Sequence, residues 1–221
     1  MSAQIKICGL KTPDMVEAAI QAKASYAGFV FFEKSPRHID MSSAHELAKQ
    51  CRYAGLWSVA LTVDPTDAHL DEIITRVEPD MIQLHGGESP ERVAEIAARC
   101  RRPIMKALAI SDAHDFAQVG VYEEVADLLL FDAKPPKSMS KALPGGNGLA
   151  FDWSLIKGRT PQKPWMLSGG LTPENVAQAI GATGAKMVDV SSGVESAPGK
   201  KEAELIAAFC AASKTAEETK I

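Results

Sequence analysis

The chain has 221 residues, 46% hydrophobic and 24% charged, with a formal net charge of −4 at pH 7. That length builds one well-buried domain or two small ones. No apolar run approaches the roughly 20 residues of a membrane span, the start Met1-Ser2-Ala3-Gln4-Ile5-Lys6 lacks the apolar core of a signal peptide, and no dense Lys/Arg block marks a nucleic-acid surface, so a cytoplasmic protein with neither membrane nor nucleic acid as partner is expected.

The predicted elements alternate along the chain. Ile5–Cys8 reads as a buried strand. Thr12-Pro13-Asp14 then opens a helix, with a capping Thr followed by Pro at the first helical position. Tyr26–Phe31 is the second strand, and Ser42 opens the second helix. Trp57–Val63 is the third strand. Thr66-Asp67 leads into Leu70, Ile73, Ile74 and Val77, spaced for one buried face. Met81–Leu84 follows, and Ser89-Pro90-Glu91 repeats the cap-then-Pro device ahead of Val93, Ile96 and Ala97. Ile104–Leu108 and Leu128–Phe131 are strands five and six. Trp165–Leu167 is the seventh, Thr172-Pro173-Glu174 opens a helix through Val176, Ala179 and Ile180, and Met187–Val190 is the eighth. Lys201 to Ala212 closes the chain helically, with residues after about 213 frayed.

Short apolar strands alternating with amphipathic helices imply parallel pairing. Eight such units point to one α/β domain over residues 1–221, a (β/α)8 TIM barrel near the short end of its size range. An open doubly wound sheet is the competing architecture, but it needs edge strands, and none of these runs is charged or broken by Pro. Between Asp132 and Ala150 apolar periodicity is missing, the mark of a functional lid or a solvated loop.

In such barrels chemistry sits at the C-terminal ends of the strands. Side-chain alternation puts Ile5 and Ile7 on one face of strand one and Lys6 and Cys8 on the other. With the apolar pair toward the helices, Lys6 and Cys8 face the lumen and Cys8 stands at the rim. A buried Lys6 charge needs a partner, and Asp189 on the adjoining eighth strand is the candidate. Asp132 ends strand six, either as a general acid or as an ordinary loop-start aspartate. Ser168-Gly169-Gly170 and Ser191-Ser192-Gly193 follow strands seven and eight, where this fold often grips phosphate through backbone amides. Arg37 beyond strand two and His85 after strand four are further rim residues; each is open to a plain structural reading. The four cysteines, Cys8, Cys51, Cys100 and Cys210, are too widely and irregularly spaced for a zinc site or a disulfide framework.

The ordered set Lys6-Ile7-Cys8-Gly9, Gly28-Phe29-Val30-Phe31, Ser35-Pro36-Arg37, Gln83-Leu84-His85-Gly86, Asp132, Gly145-Gly146-Asn147-Gly148, Ser168-Gly169-Gly170-Leu171 and Val188-Asp189-Val190-Ser191-Ser192-Gly193-Val194-Glu195 resembles the phosphoribosylanthranilate isomerases. The resemblance runs from Ile5 to about Lys201. It implies an Amadori rearrangement in tryptophan biosynthesis, with Cys8 as general base and Asp132 as general acid. It further implies Arg37, His85 and Asp189 at the carboxylate and anthranilate end. Gly146, Gly148, Gly169, Gly170, Ser192 and Gly193 would hold the phosphate. No metal and no cofactor is implied, and the partner is a phosphorylated small molecule. A monomer or weak homodimer is expected. Two departures stand out: Asn147 replaces the usual Thr or Ser, and the segment from Lys134 to Leu143, with Lys134, Lys137 and Lys141, is longer than in compact members. Alternatives are another phosphate-binding barrel enzyme, such as an indole-glycerol-phosphate synthase or a phosphosugar epimerase, or a non-catalytic phosphosugar-binding barrel.

Overall fold

The structure is a computed structural model that describes residues 3–112, 114–133, 152–156, 158–159 and 161–215. Eight parallel strands, β1 (Gln4–Cys8), β2 (Tyr26–Phe31), β3 (Trp57–Thr62), β4 (Met81–Leu84), β5 (Ile104–Ile110), β6 (Leu128–Ala133), β7 (Trp165–Leu167) and β8 (Met187–Val190), close into a barrel in chain order. Closure comes from β1 against β8, with Lys6 in register with Asp189. The closed parallel barrel therefore replaces the open-sheet alternative and leaves no edge among these strands.

Strand alternation divides the interior as the first strand's pattern required. Ile5, Ile7, Val188, Val190, Leu129 and Phe131 pack in the large outer core with residues of the helices. Val59, Met81, Met105, Ala107, Leu128, Leu130 and Met166, all from strands, fill the lumen as a second apolar cluster. A third, smaller group of Cys8, Val30 and Leu61 lies toward the C-terminal end. The lumen is thus a packed core closed beneath the site, not a pore.

The helices between strands are α1 (Pro13–Gln21), α2 (Met41–Ala54), α3 (Asp67–Arg76), α4 (Pro90–Cys100), α5 (Val119–Glu123), α6 (Val176–Thr183) and α7 (Ala203–Thr215). Thr12, Thr66 and Ser89 cap α1, α3 and α4 by accepting backbone N–H bonds, as their sequence signals require. Ser42 does not open α2. Asp40 does, because its carboxylate accepts from both the Ser43 backbone N–H and hydroxyl, at 2.9 and 2.7 Å. The helix expected from Thr172 begins three residues later. The Asn175 amide accepts from Thr172 N (2.8 Å) and donates to Gly170 O (2.9 Å), which holds residues 170–175 in a turn. Lys201, assigned to the closing helix from sequence, instead lies in a hairpin of β9 (Glu195–Ala197) and β10 (Lys200–Lys201) that turns through Gly199 at φ +79°. The tail expected to fray after residue 213 is helical to Thr215, and the rest lies outside the described residues. Among the described residues no helix is long and apolar enough to cross a membrane.

Candidate active site

Two buried residues of β1 form the first half of the site. Lys6 is fully buried and donates to Asp189 Oδ1 at 2.7 Å, and Asp189 Oδ2 accepts from the Ser168 hydroxyl at 3.0 Å. The lumen charge read from the sequence is therefore paired with the acid of the neighbouring strand. Burial alone would lower the Lys6 pKa, but Asp189, followed by Cys8, holds it above the ordinary lysine value.

Cys8 lies two residues further along the same face of β1, packed with Val30 and Leu61. Burial pushes its thiol up; Lys6 opposes this most, Asp189 reinforces it, and Lys201 opposes it. Gly28, in register with Cys8, leaves room for the sulfur: a Cβ there would stand 2.9 Å from Cys8 Sγ. Gly28 appeared in the sequence only as part of a strand motif. Its need for a missing side chain becomes visible only once β1 and β2 are in register.

Across the lumen, Asp132 lies inside β6, which runs one residue past it, so its side chain is fixed by strand geometry rather than by a loop. Oδ1 accepts from the Ala133 N–H at 2.9 Å, and Oδ2 lies 3.2 Å from His85 Nε2. The other ring nitrogen of His85, Nδ1, is 2.9 Å from the amide nitrogen of Gln83. Gln83 is fully buried, and its Oε1 has no hydrogen-bond partner. This chain sets proton positions. With the Gln83 N–H donating to Nδ1, the imidazole carries its proton on Nε2 and donates to a carboxylate. With the amide turned over, Nδ1 donates, Nε2 accepts, and the shared proton belongs to Asp132.

The loop that carries His85 is fastened from outside the lumen. Lys106 of β5 donates to Glu88 Oε2 at 2.6 Å and to Gly86 O at 2.8 Å. Glu88 in turn accepts the backbone N–H groups of Asp64 and Gly86, at 2.9 and 3.0 Å. The sequence reading missed both residues. A signal was present in Lys106, a second lysine inside a buried strand, as costly without a partner as Lys6.

Arg37 crosses Gly9 at the rim, where a Cβ on that glycine would meet Arg37 Cδ at 2.7 Å. Its Nε and Nη2 each donate to a different oxygen of Glu195 at 2.8 Å, a two-point fork. Lys201 donates to Glu195 Oε1 at 2.7 Å, to Ser191 O at 2.9 Å and to Ser191 Oγ at 3.2 Å, while the Ser191 hydroxyl donates to Cys8 O at 3.1 Å. Burial works against the Glu195 charge, yet Arg37 and Lys201 hold its carboxyl below the ordinary value. Burial also lowers the Lys201 pKa, with Glu195 opposing.

The two glycine loops lie side by side. Gly169 and Gly170 take φ of +87° and +63°, the left-handed region in which a side chain is strained. A Cβ on Gly193 would fall against the Leu171 carbonyl, so the loops after β7 and β8 are in backbone contact. Among the described residues, no backbone hydrogen bond uses the amides of Gly169, Gly170, Ser192 or Gly193. Such amides are donors suited to an anion. Gly146 and Gly148, with Asn147 and the lysines at 134, 137 and 141, lie outside the described residues.

A closed parallel barrel with a thiol and a carboxyl facing into one end, beside two glycine loops, defines a (β/α)8-barrel enzyme whose reacting end is at the strand C-termini. The profile of the N-(5'-phosphoribosyl)anthranilate (PRA) isomerase family matches residues 5–212, and the chain belongs to that family. N-(5'-phosphoribosyl)anthranilate isomerase of Parvibaculum lavamentivorans is 55% identical over 216 residues, covering 98% of this chain and 100% of the relative. The Cereibacter sphaeroides protein of the same name is 55% identical over 211 residues, 96% of this chain and 98% of its own. The crystal structure of phosphoribosyl anthranilate isomerase from Thermotoga maritima superimposes with a TM-score of 0.85 at 33% identity, covering 96% of this chain and 98% of that one. A structure of phosphoribosyl anthranilate isomerase in complex with reduced 1-(o-carboxyphenylamino)-1-deoxyribulose 5-phosphate gives a TM-score of 0.82 at 31% identity, with 96% and 98% covered.

Proposed function

We propose that the chain converts N-(5'-phosphoribosyl)anthranilate to 1-(2-carboxyphenylamino)-1-deoxyribulose 5-phosphate. Family membership over nearly the whole chain supports the reaction. The observation that carries the residue roles is that Cys8 and Asp132 lie on lumen faces of β1 and β6 at the same end of the barrel.

In this reading Asp132 gives a proton to the ribose ring oxygen, and the ring opens to an imine. Cys8, as thiolate, removes the proton from the sugar C2. The resulting enolamine shifts to the ketone, so one carbon is oxidised and its neighbour reduced within a single molecule. Acid and base act on different atoms of one substrate, which is why they stand on separate strands. His85 faces Asp132, and its tautomer decides whether it donates to that carboxyl or accepts from it. Asp189 faces Lys6, so its effect on chemistry passes through the charge next to Cys8.

Arg37 takes the anthranilate carboxylate in this reading. Glu195 already balances one positive charge of the Arg37–Lys201 pair, so the arginine offers directed donors at a fixed angle. The amides of Gly169, Gly170, Ser192 and Gly193 take the phosphate. The phosphorylated small molecule is the partner, acted on in the cytoplasm. Purified protein is expected to consume phosphoribosylanthranilate formed in place, with no metal added; absence of turnover would overturn this reading.

A further inference from the structure

The hairpin after β8 carries neither the proposed base nor the proposed acid, yet it supplies two buried charges to the rim. Glu195 and Lys201 have side chains 4% and 1% exposed, and Arg37 is 7% exposed. Bonds run without a gap from Arg37 to Glu195, Lys201, Ser191 and the Cys8 carbonyl. Lys201 has three N–H donors, and its bonds to Glu195 and to both Ser191 oxygens leave no donor for a ligand. It therefore acts within the protein, tying β10 to the loop after β8. Glu195 has one oxygen on Arg37 Nη2 and the other shared by Arg37 Nε and Lys201, which fixes the plane of the guanidinium.

We infer that Glu195, braced by Lys201, is a positioning residue that sets substrate specificity by orienting Arg37 for the aromatic carboxylate. This rests on the carboxylate role given to Arg37 above. A guanidinium recognises a carboxylate through its edge, so rotation of its plane misaligns the donors even when the charge stays in place. The hairpin is then a specificity device attached to a barrel that already holds its acid and base. The consequence is selective: a substrate with a carboxylate on its ring loses more on removal of Glu195 than one without it.

The test compares two aminoaldose phosphates, one formed from anthranilate and one from aniline, which lacks the carboxylate. Glu195→Gln keeps the side-chain shape and removes the charge that holds both cations. The ratio of kcat/KM between the two substrates is expected to fall about 10–100-fold, mainly through KM for the carboxylated one. In an Arg37→Gln background, Glu195→Gln is expected to leave that ratio unchanged, because its effect passes through the arginine. Should Glu195→Gln fail to fold by circular dichroism, Glu195→Asp, which withdraws the fork but keeps the charge, is measured for the same ratio. Equal losses on both substrates, or an unchanged ratio, would overturn the inference. Failure of the unmodified protein to turn over the anthranilate compound would instead overturn the functional reading on which it rests.

Discussion

His85 and Asp132 share one proton position across 3.2 Å, and Gln83 holds the far side of the same imidazole at 2.9 Å. A carboxyl proposed as the acid, facing a ring with two tautomers, either accepts from or donates to that ring according to what fixes the tautomer. Gln83 can do this from either face of its amide, as donor or acceptor. Gln83→Met keeps length and burial but removes the bond. The expected outcome is a kcat lower by about tenfold with KM nearly unchanged. Nitrogen NMR of the His85 ring is expected to show a mixture of tautomers in the variant. An unaltered ring spectrum together with unaltered kcat would remove Gln83 from this role.

Cys8 starts as a thiol that burial holds above its ordinary pKa. With the Cys8 thiolate as the proposed base, kcat/KM is expected to rise with pH on the alkaline side of neutrality. Lys6 lowers the Cys8 pKa and Asp189 raises it. Lys6→Met is therefore expected to move the profile to higher pH, and Asp189→Asn to lower pH. Each also breaks a buried ion pair, which costs about 3–5 kcal/mol of stability, so both are measured well below their melting temperatures. The opposite signs separate electrostatics from general damage, and shifts in one direction would contradict this reading of the base.

Gly28 makes room for the Cys8 sulfur. In Gly28→Ala the new methyl would stand 2.9 Å from Sγ and 3.0 Å from Cys8 Cα, on two strands locked in register. Overpacking of this kind costs about 1–3 kcal/mol, readable by urea unfolding. Activity is expected to fall by more than the stability loss explains, because the displaced atom is the proposed base. A fully active Gly28→Ala protein would show that the sulfur has freedom to move.

Much of the fold was legible in the sequence because buried parallel strands are short apolar runs, and Tyr26–Phe31, Met81–Leu84, Trp165–Leu167 and Met187–Val190 have those bounds in the structure. Helix starts were legible where a side chain caps the helix directly, as at Thr12, Thr66 and Ser89. They were misplaced at Ser42 and Thr172, where Asp40 and Asn175 take the capping and turn-holding bonds instead. Strand parity sufficed to put Lys6 beside Asp189. It could not reveal the β9–β10 hairpin, whose two short strands carry no apolar alternation, nor the Glu195 fork on Arg37, which joins residues 158 apart in the chain. The Glu88–Lys106 pair escaped because its lysine faces the helices, where a charge was not sought.

The central claim is that Cys8 and Asp132 do the chemistry while other groups hold the substrate. It is tested most directly by turnover of phosphoribosylanthranilate in Cys8→Ala and Asp132→Asn, with affinity for a reduced product analogue measured on the same preparations. Each variant is expected to lose kcat by about a hundredfold or more and to bind the analogue within a few-fold of the unmodified protein. Near-normal kcat in either folded variant would contradict the role given to that residue.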